Sequence, residues 1–542
     1  MAQPFPPPPD RPAPQAPRRS TSRIVLAVAV VLAVVVVGAI GVGFAAYRLV
    51  DGSDGDGDGG STGQPADPPS ATAGPTPSYT QSLKRFYQQK LTWSSCAGTD
   101  QCTRLTVPLD YDKPDGETLK LAVLRVPAEQ RSKRIGQLVV DPGGPGGSAV
   151  QYAAAGSLAF GETVARYYDI VGMDPRGVGE SKPLECFGTA ERDKFLAFDP
   201  SPDSPSEAAG LDDEIEKFGD ACLRNSGELA RHMSTVEVAK DMDILRAALG
   251  ERKLDYHGAS YGTLIGATYA DLFPTHIRRM VLDGAIDPSL STAELTLGQA
   301  GGFQTALKAF VADCVTSSCP LGDDEQGALD RVGQLLKEID QKPLSTGSSR
   351  ELTEGLATSG IAYPLYSKSL WPQLREALQS ALDGDGAALL GLADQYNSRG
   401  SDGFTDNGTN ALYAVNCLDH DDAIPSSEVP GYFPEFDKLA PTFSRWFAYS
   451  LATCSTWPIH TGNTTKAMAA KGAPPIVVIG TTRDPATPYA WAKALAGQLD
   501  SGRLISRDGD GHTGFEMGNS CVDDAVNSYY VSGKPPRDGL SC

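Results

Sequence analysis

The 542-residue chain has no Cys-x-x-Cys pair, and none of its ten cysteines precedes Cys96. Zinc-ribbon spacing is therefore absent, and no metal site is expected from it. Histidine is scarce, six in all, so any catalytic base must come from a short list. Basic residues are outnumbered, 47 Lys and Arg against 67 Asp and Glu, for a net charge of −20. A surface that acidic repels phosphate backbones, which argues against a nucleic-acid partner. No internal repeat is found. What remains is ordinary globular material: 40% of residues are hydrophobic and 21% charged, outside the range of disordered or collagen-like chains.

An even number of cysteines without metal-ligand spacing reads as a disulfide framework, and persistent disulfides imply an oxidising compartment. Near-neighbour pairs are expected: Cys96–Cys102, Cys186–Cys222, Cys314–Cys319, Cys417–Cys454 and Cys521–Cys542.

Residues 1–23 are rich in proline and arginine and are expected to be a disordered cytoplasmic segment. Ile24–Tyr47 follows as 24 residues without a charge. About 20 suffice to cross a bilayer core as a helix, and arginines before the run with aspartates after it place the N-terminus inside. The run is read as an uncleaved transmembrane signal anchor. A cleaved signal peptide is the rival, with Gly43 and Ala45 as a small-residue cleavage site. Residues 48–80 are Gly, Asp, Ser, Thr and Pro, a flexible linker. The protein is thus expected at the cell membrane with its working part outside the cytoplasm, or secreted if the anchor is cut.

The remainder alternates short apolar strands with helices. Gln137–Asp141, Asp169–Met173, Leu254–His257, Arg279–Leu282, Pro475–Ile479 and Arg503–Ser506 read as strands, Thr235–Leu249 and Thr263–Phe273 as helices. This predicts an α/β fold with a mainly parallel central sheet. Strand signals stop between about Pro288 and Thr465, where Gln326–Ile339 and Leu370–Leu382 show helical spacing. Residues 81–288 are read as the first part of the core, 289–465 as a helical cap, and 466–542 as the second part with a C-terminal extension. A smaller insertion is expected from Cys186 to about Ser234.

Gly258-Ala259-Ser260-Tyr261-Gly262 is G-x-S-x-G between a strand and a helix, the context of a nucleophile elbow. Ser260 is the candidate nucleophile. A serine needs a base, and chain order in this fold class is Ser, acid, His. His512, just after the last strand, is the candidate, ahead of His420 and His460. His257 is expected to pack, and His276 to face solvent. Asp484, after the strand ending at Ile479, is the candidate orienting acid. Asp283 is the alternative, with backbone bonding at its strand end as the plainer role. Asp141–Gly147 (DPGGPGG) follows an early strand, a loop suited to an oxyanion hole made by the N–H groups of Gly144 and Tyr261. The same glycines loosely match a dinucleotide fingerprint, but Pro145 removes a donor inside the turn.

These motifs resemble those of the tripeptidyl and prolyl aminopeptidase group of the α/β-hydrolase superfamily. The matching stretches are DPGGPGGS at Asp141–Ser148, MDPRGVGES at Met173–Ser181, GASYG, VLDG at Val281–Gly284, DPATP at Asp484–Pro488 and GHTG at Gly511–Gly514. Prolyl enzymes of the group usually carry His where this chain has Asp141, which points to the tripeptidyl branch. The resemblance implies a bacterial serine exopeptidase that releases short peptides, tripeptides in that branch, from free N-termini without a cofactor or metal. A carboxylesterase or lipase with the same triad, or an inactive surface-binding protein, are the alternatives. An aminopeptidase must also meet the substrate ammonium with an acid. Asp419, in the cluster Asp419, Asp421 and Asp422 beside Cys417, is the candidate.

Overall fold

The computed structural model describes residues 81–462 and 465–542. The expected Pro-rich segment, anchor and linker lie outside them. Among the described residues no helix is long and apolar enough to cross a membrane.

The strands are β1 (Ser94–Ala97), β2 (Asp100–Pro108), β3 (Thr118–Val126), β4 (Gly136–Asp141), β5 (Tyr168–Met173), β6 (Leu254–Ala259), β7 (Ile277–Asp283), β8 (Arg399–Gly400), β9 (Gly403–Phe404), β10 (Ile476–Arg483), β11 (Gly502–Asp510) and β12 (Leu540–Ser541). Ten form one sheet in the order β1-β2-β3-β5-β4-β6-β7-β10-β11-β12, and β8 pairs with β9 in a separate hairpin. β1, β2, β3 and β5 pair antiparallel, while every pairing from β5 to β12 is parallel. All residues of β4, β5 and β6 are buried. Helices cover both faces of a parallel sheet, so its strands are near-continuous apolar runs. That is why these strands were visible in the sequence.

The meander β1–β3 was not expected. Its strands mix exposed polar with buried apolar positions, a weaker signal than an unbroken apolar run.

Between β7 and β10 the chain is helical from Thr292–Val315 to Ser444–Ser450, apart from the β8–β9 hairpin. This region has a core of its own, with Phe303, Phe310, Trp371, Leu374, Phe436 and Phe447 buried together. Helices Thr189–Leu196 and Pro205–Ser226 form the smaller insertion after β5. All five expected disulfides are present, and among the described residues no cysteine is free.

Candidate active site

The turn between β6 and the helix Tyr261–Leu272 is built on Ser260, which has φ 55° and ψ −126°. A non-glycine residue there is strained and needs its surroundings to hold it. Two hydrogen bonds do so. The Ser260 N–H donates to the Asp283 carbonyl at 2.8 Å, and the Ser260 carbonyl accepts from the Thr263 N–H at 2.8 Å. The Thr263 hydroxyl adds a third at 2.6 Å.

Loops leaving the adjacent strands β10 and β11 bring Asp484 and His512 together. His512 Nδ1 lies 2.9 Å from each carboxylate oxygen of Asp484. Asp484 is in turn held by the N–H groups of Ala486 and Thr487, both at 2.9 Å, the Thr487 hydroxyl at 3.1 Å and the Thr513 N–H at 3.2 Å. Burial drives the His512 proton affinity down, but the carboxylates of Asp484 and Asp283 outweigh it, and the imidazole sits above its ordinary value. Its Nε2 is buried and has no hydrogen-bond partner among the described residues. The ring lies over Gly284, next to the residue that holds the Ser260 N–H: a Cβ there would be 3.1 Å from His512 Cε1.

The glycine loop after β4 lies directly on the elbow. A Cβ on Gly143 would come within 2.6 Å of the Tyr261 nitrogen, and its φ is +88°, so no other residue fits. The Gly143 N–H is taken by Asp141 Oδ1 at 2.8 Å, and the Gly147 N–H by the Gly143 carbonyl at 2.9 Å. The N–H groups of Gly144 and Tyr261, the two expected donors, have no acceptor among the described residues. Burial pushes the Asp141 carboxyl up to about 7, with Asp174 adding to the rise and the Gly143 N–H opposing it. Asp174 also caps the next helix, accepting from the Ser148 hydroxyl at 2.6 Å and the Val150 N–H at 2.9 Å. Two of the sequence matches are thus bonded to each other.

Asp283 plays its plainer role. Its carboxylate accepts the N–H groups of Gly514 and Phe515, both at 2.8 Å. Asp419, Asp421 and Asp422 are each hydrogen-bonded, Asp422 at an exposed position. Asp419 accepts from the Thr235 N–H at 2.9 Å and from the Thr235 hydroxyl, which also contacts the Tyr261 hydroxyl. Asp421 pairs with His460 at 2.8 Å, and Asp422 accepts from the Thr292 N–H at 2.9 Å. Asp419 has no cationic partner among the described residues, and burial raises its carboxyl to about 7. Of the other histidines, His257 is buried as expected and its proton affinity drops to about 4. His276 corrects its expectation: it is half-buried and bonded to Asp243 at 2.8 Å, because Asp243 is already inside the fold.

Three contributors escaped the sequence reading. Thr487 braces the Asp484–His512 pair, and its signal was its place within the DPATP match. Thr235 links Asp419 to Tyr261, and Tyr366 from the helical region contacts His512. Neither carries a sequence pattern that marks it.

A strand–serine–helix elbow, a glycine loop over it and a His–Asp pair on the loops after β10 and β11 define an α/β-hydrolase of the serine class. The family model described as TAP-like protein matches residues 440–542. Serine protease Hip1 of Mycobacterium tuberculosis is 37% identical over 478 residues, spanning 84% of this chain and 91% of that protein. Carboxylesterase B of the same organism is 37% identical over 472 residues, 83% and 89% of the two chains. Tripeptidyl aminopeptidase of Streptomyces lividans is 33% identical over 474 residues, 83% and 86%. The chain belongs to the tripeptidyl aminopeptidase-like family of α/β-hydrolases, and it is an enzyme.

Proposed function

We propose that the protein is a serine peptidase that removes short peptides, tripeptides by family likeness, from free N-termini. The observation that carries this reading is His512, with Nδ1 on both oxygens of Asp484 and Nε2 buried and unpartnered beside the elbow. In this reading Ser260 Oγ attacks the scissile carbonyl and His512 Nε2 takes its proton. Asp484 keeps the imidazole in the required tautomer and stabilises it once charged. The N–H groups of Gly144 and Tyr261 bind the oxyanion. His512 then gives the proton to the leaving amine, and water enters by the same base to release the acyl group from Ser260.

Asp419 is the acid proposed for the substrate ammonium. Its carboxylate is half-buried, lacks a cation among the described residues, and lies two hydrogen bonds from the Tyr261 ring. The name of the Streptomyces relative supports the tripeptidyl reading. The name of the carboxylesterase relative, 37% identical, favours esterase action as a second reading. Five disulfides and the uncharged Ile24–Tyr47 run support work outside the cytoplasm, on a membrane anchor or in secreted form. Labelling by a fluorophosphonate, mapped to its residue, tests the nucleophile. Matched peptides with free and acetylated amino ends separate aminopeptidase from esterase. Faster cleavage of the free form is expected, and equal rates would leave the esterase reading.

A further inference from the structure

Asp283 is bonded to two of the three proposed triad loops and adjoins the third. Its carbonyl holds the Ser260 N–H at 2.8 Å, fixing the elbow. Its carboxylate oxygens separately hold the N–H groups of Gly514 and Phe515 at 2.8 Å, fixing the loop that follows His512. The next residue, Gly284, donates its N–H to the Ile479 carbonyl of β10 at 3.1 Å. A Cβ on Gly284 would lie 3.1 Å from both His512 Cε1 and Thr487 Oγ1. Asp283 itself is 1% exposed.

Burying a carboxylate here for structure alone is costly, since an amide or hydroxyl pair removes one N–H each without a charge to desolvate. The cost is visible: burial pushes the Asp283 carboxyl up to about 6, although the two N–H groups oppose the rise. The titratable groups acting on it are His512 and Asp484 on the neighbouring loops and Tyr152 on the helix Ala149–Ala154. A negative charge in that place favours the imidazolium that forms when His512 takes the serine proton.

We infer that Asp283 is a positioning residue that ties the nucleophile turn to the base loop, and whose charge strengthens His512 as a base. The inference rests on the assignment of Ser260 and His512 proposed above. It differs from the alternative considered from sequence, in which Asp283 replaces Asp484 as the acid. Here Asp484 keeps His512 Nδ1 and Asp283 acts through the backbone and the field.

The test measures kcat and KM against pH on a simple acyl ester, with fluorophosphonate labelling mapped on the same preparations. In the unaltered enzyme the acid limb of kcat/KM reports the protonation of His512, and the variants show whether the Asp283 charge sets its position. Asp283→Asn should lower kcat at least about tenfold with KM nearly unchanged, and move the acid limb to lower pH because a charge that favours imidazolium is gone. Asp283→Glu keeps the charge but displaces the acceptors, so it should lose kcat while the acid limb stays in place. A normal kcat in Asp283→Asn, or a loss of kcat with an unmoved acid limb, would reduce Asp283 to a structural anchor and refute the inference. Failure of the unaltered enzyme to label at Ser260 would instead refute the triad on which it rests.

Discussion

The main-chain N–H of His512 donates to the carbonyl of Tyr366 at 2.9 Å. Tyr366 follows the helix Glu354–Leu365, inside the helical region between β7 and β10. Its ring also meets the imidazole edge-on, 5.4 Å between centroids and at 88°. The helical region therefore holds the proposed base directly and does more than roof the site. Its own separate core keeps Tyr366 in place, so the position of His512 depends on packing far from the sheet.

Gly511 lets this contact form. Its φ is +97°, and a Cβ would lie 2.8 Å from the Tyr366 carbonyl. Gly511→Ala should push that carbonyl away and tilt the imidazole. A fall in kcat of at least about tenfold is expected, roughly 1.4 kcal/mol of barrier, with a smaller change in KM. Steady-state kinetics on a short ester measure it, and unchanged kcat would mean that the contact does not position the base.

Ser260→Ala and His512→Ala should each abolish nearly all turnover, and the double variant should be no worse than either alone. Residues that act as a unit lose their effect together, so their costs do not add. Removing the Ser260 hydroxyl makes little packing change, and the thermal midpoint should hold. Activity of His512→Ala within about tenfold of normal would move the base elsewhere. His460 would be tested next, although it is exposed and bonded to Asp421.

Legibility in the sequence followed physical cause. β4, β5 and β6 are buried on both sides and announce themselves as apolar runs, and the elbow between β6 and its helix needs residues that form a recognisable string. Ser260, Asp484 and His512 stood out as candidates because each follows a strand signal, those of β6, β10 and β11. The disulfides were found because near-neighbour cysteines can meet without long-range information. Tyr366 and Thr235 were not found, because their contacts join segments about 146 and 184 residues from their partners. Nothing local to either residue encodes a partner so distant. The Asp419 cluster was ambiguous for the same reason: whether a carboxylate is solvated or bonded depends on what packs against it.

Cys417–Cys454 closes a loop of 37 residues around this cluster. By the chain-entropy account such a link stabilises by about 4 kcal/mol through the unfolded state. Replacing both cysteines by serine should lower the urea midpoint accordingly and raise KM for peptides more than for esters, since Asp419 is two residues from Cys417. The untreated protein should show no thiol accessible to alkylation in denaturant. A large free-thiol count would overturn the oxidising-compartment argument as well.

Stability should rise as the pH is lowered from 8 to 6. Burial raises Asp141 to about 7 and Asp283 to about 6. A carboxyl whose folded value lies above its unfolded value contributes stability fully below the unfolded value and loses it as pH rises through the folded one. Asp141 alone accounts for about 1.4 kcal/mol over those two pH units. His257 opposes this only below about 6.5, where its buried neutral ring resists protonation, with a folded value of about 4. The thermal midpoint should therefore rise from pH 8 to pH 6, with His257 cancelling part of any further rise below that, and Asp141→Asn should flatten the alkaline side. A midpoint that climbs steadily to pH 8 would contradict the burial of these charges.

The free amino end gives the sharpest division between peptidase and esterase. A substrate ammonium leaving water loses its hydration and needs an anion to meet it. Asp419 is proposed as that anion, a carboxylate held by Thr235 and lacking a cation among the described residues. Acetylating the peptide amine should lower kcat/KM by at least about 100-fold, some 2.7 kcal/mol of transition-state binding. Asp419→Asn keeps an acceptor for the Thr235 N–H but removes the charge, so it should depress free-amine peptides far more than a simple acyl ester. The pH dependence adds a second reading on the same residue. With its carboxyl raised to about 7, Asp419 neutralises as the pH falls below that value. Turnover of free-amine peptides should then decline ahead of ester turnover on the acid side, and the gap should vanish in Asp419→Asn. Free and acetylated peptides cleaved equally well would refute the aminopeptidase reading. A strong amine preference that survives Asp419→Asn would keep that reading and assign the ammonium to another acid.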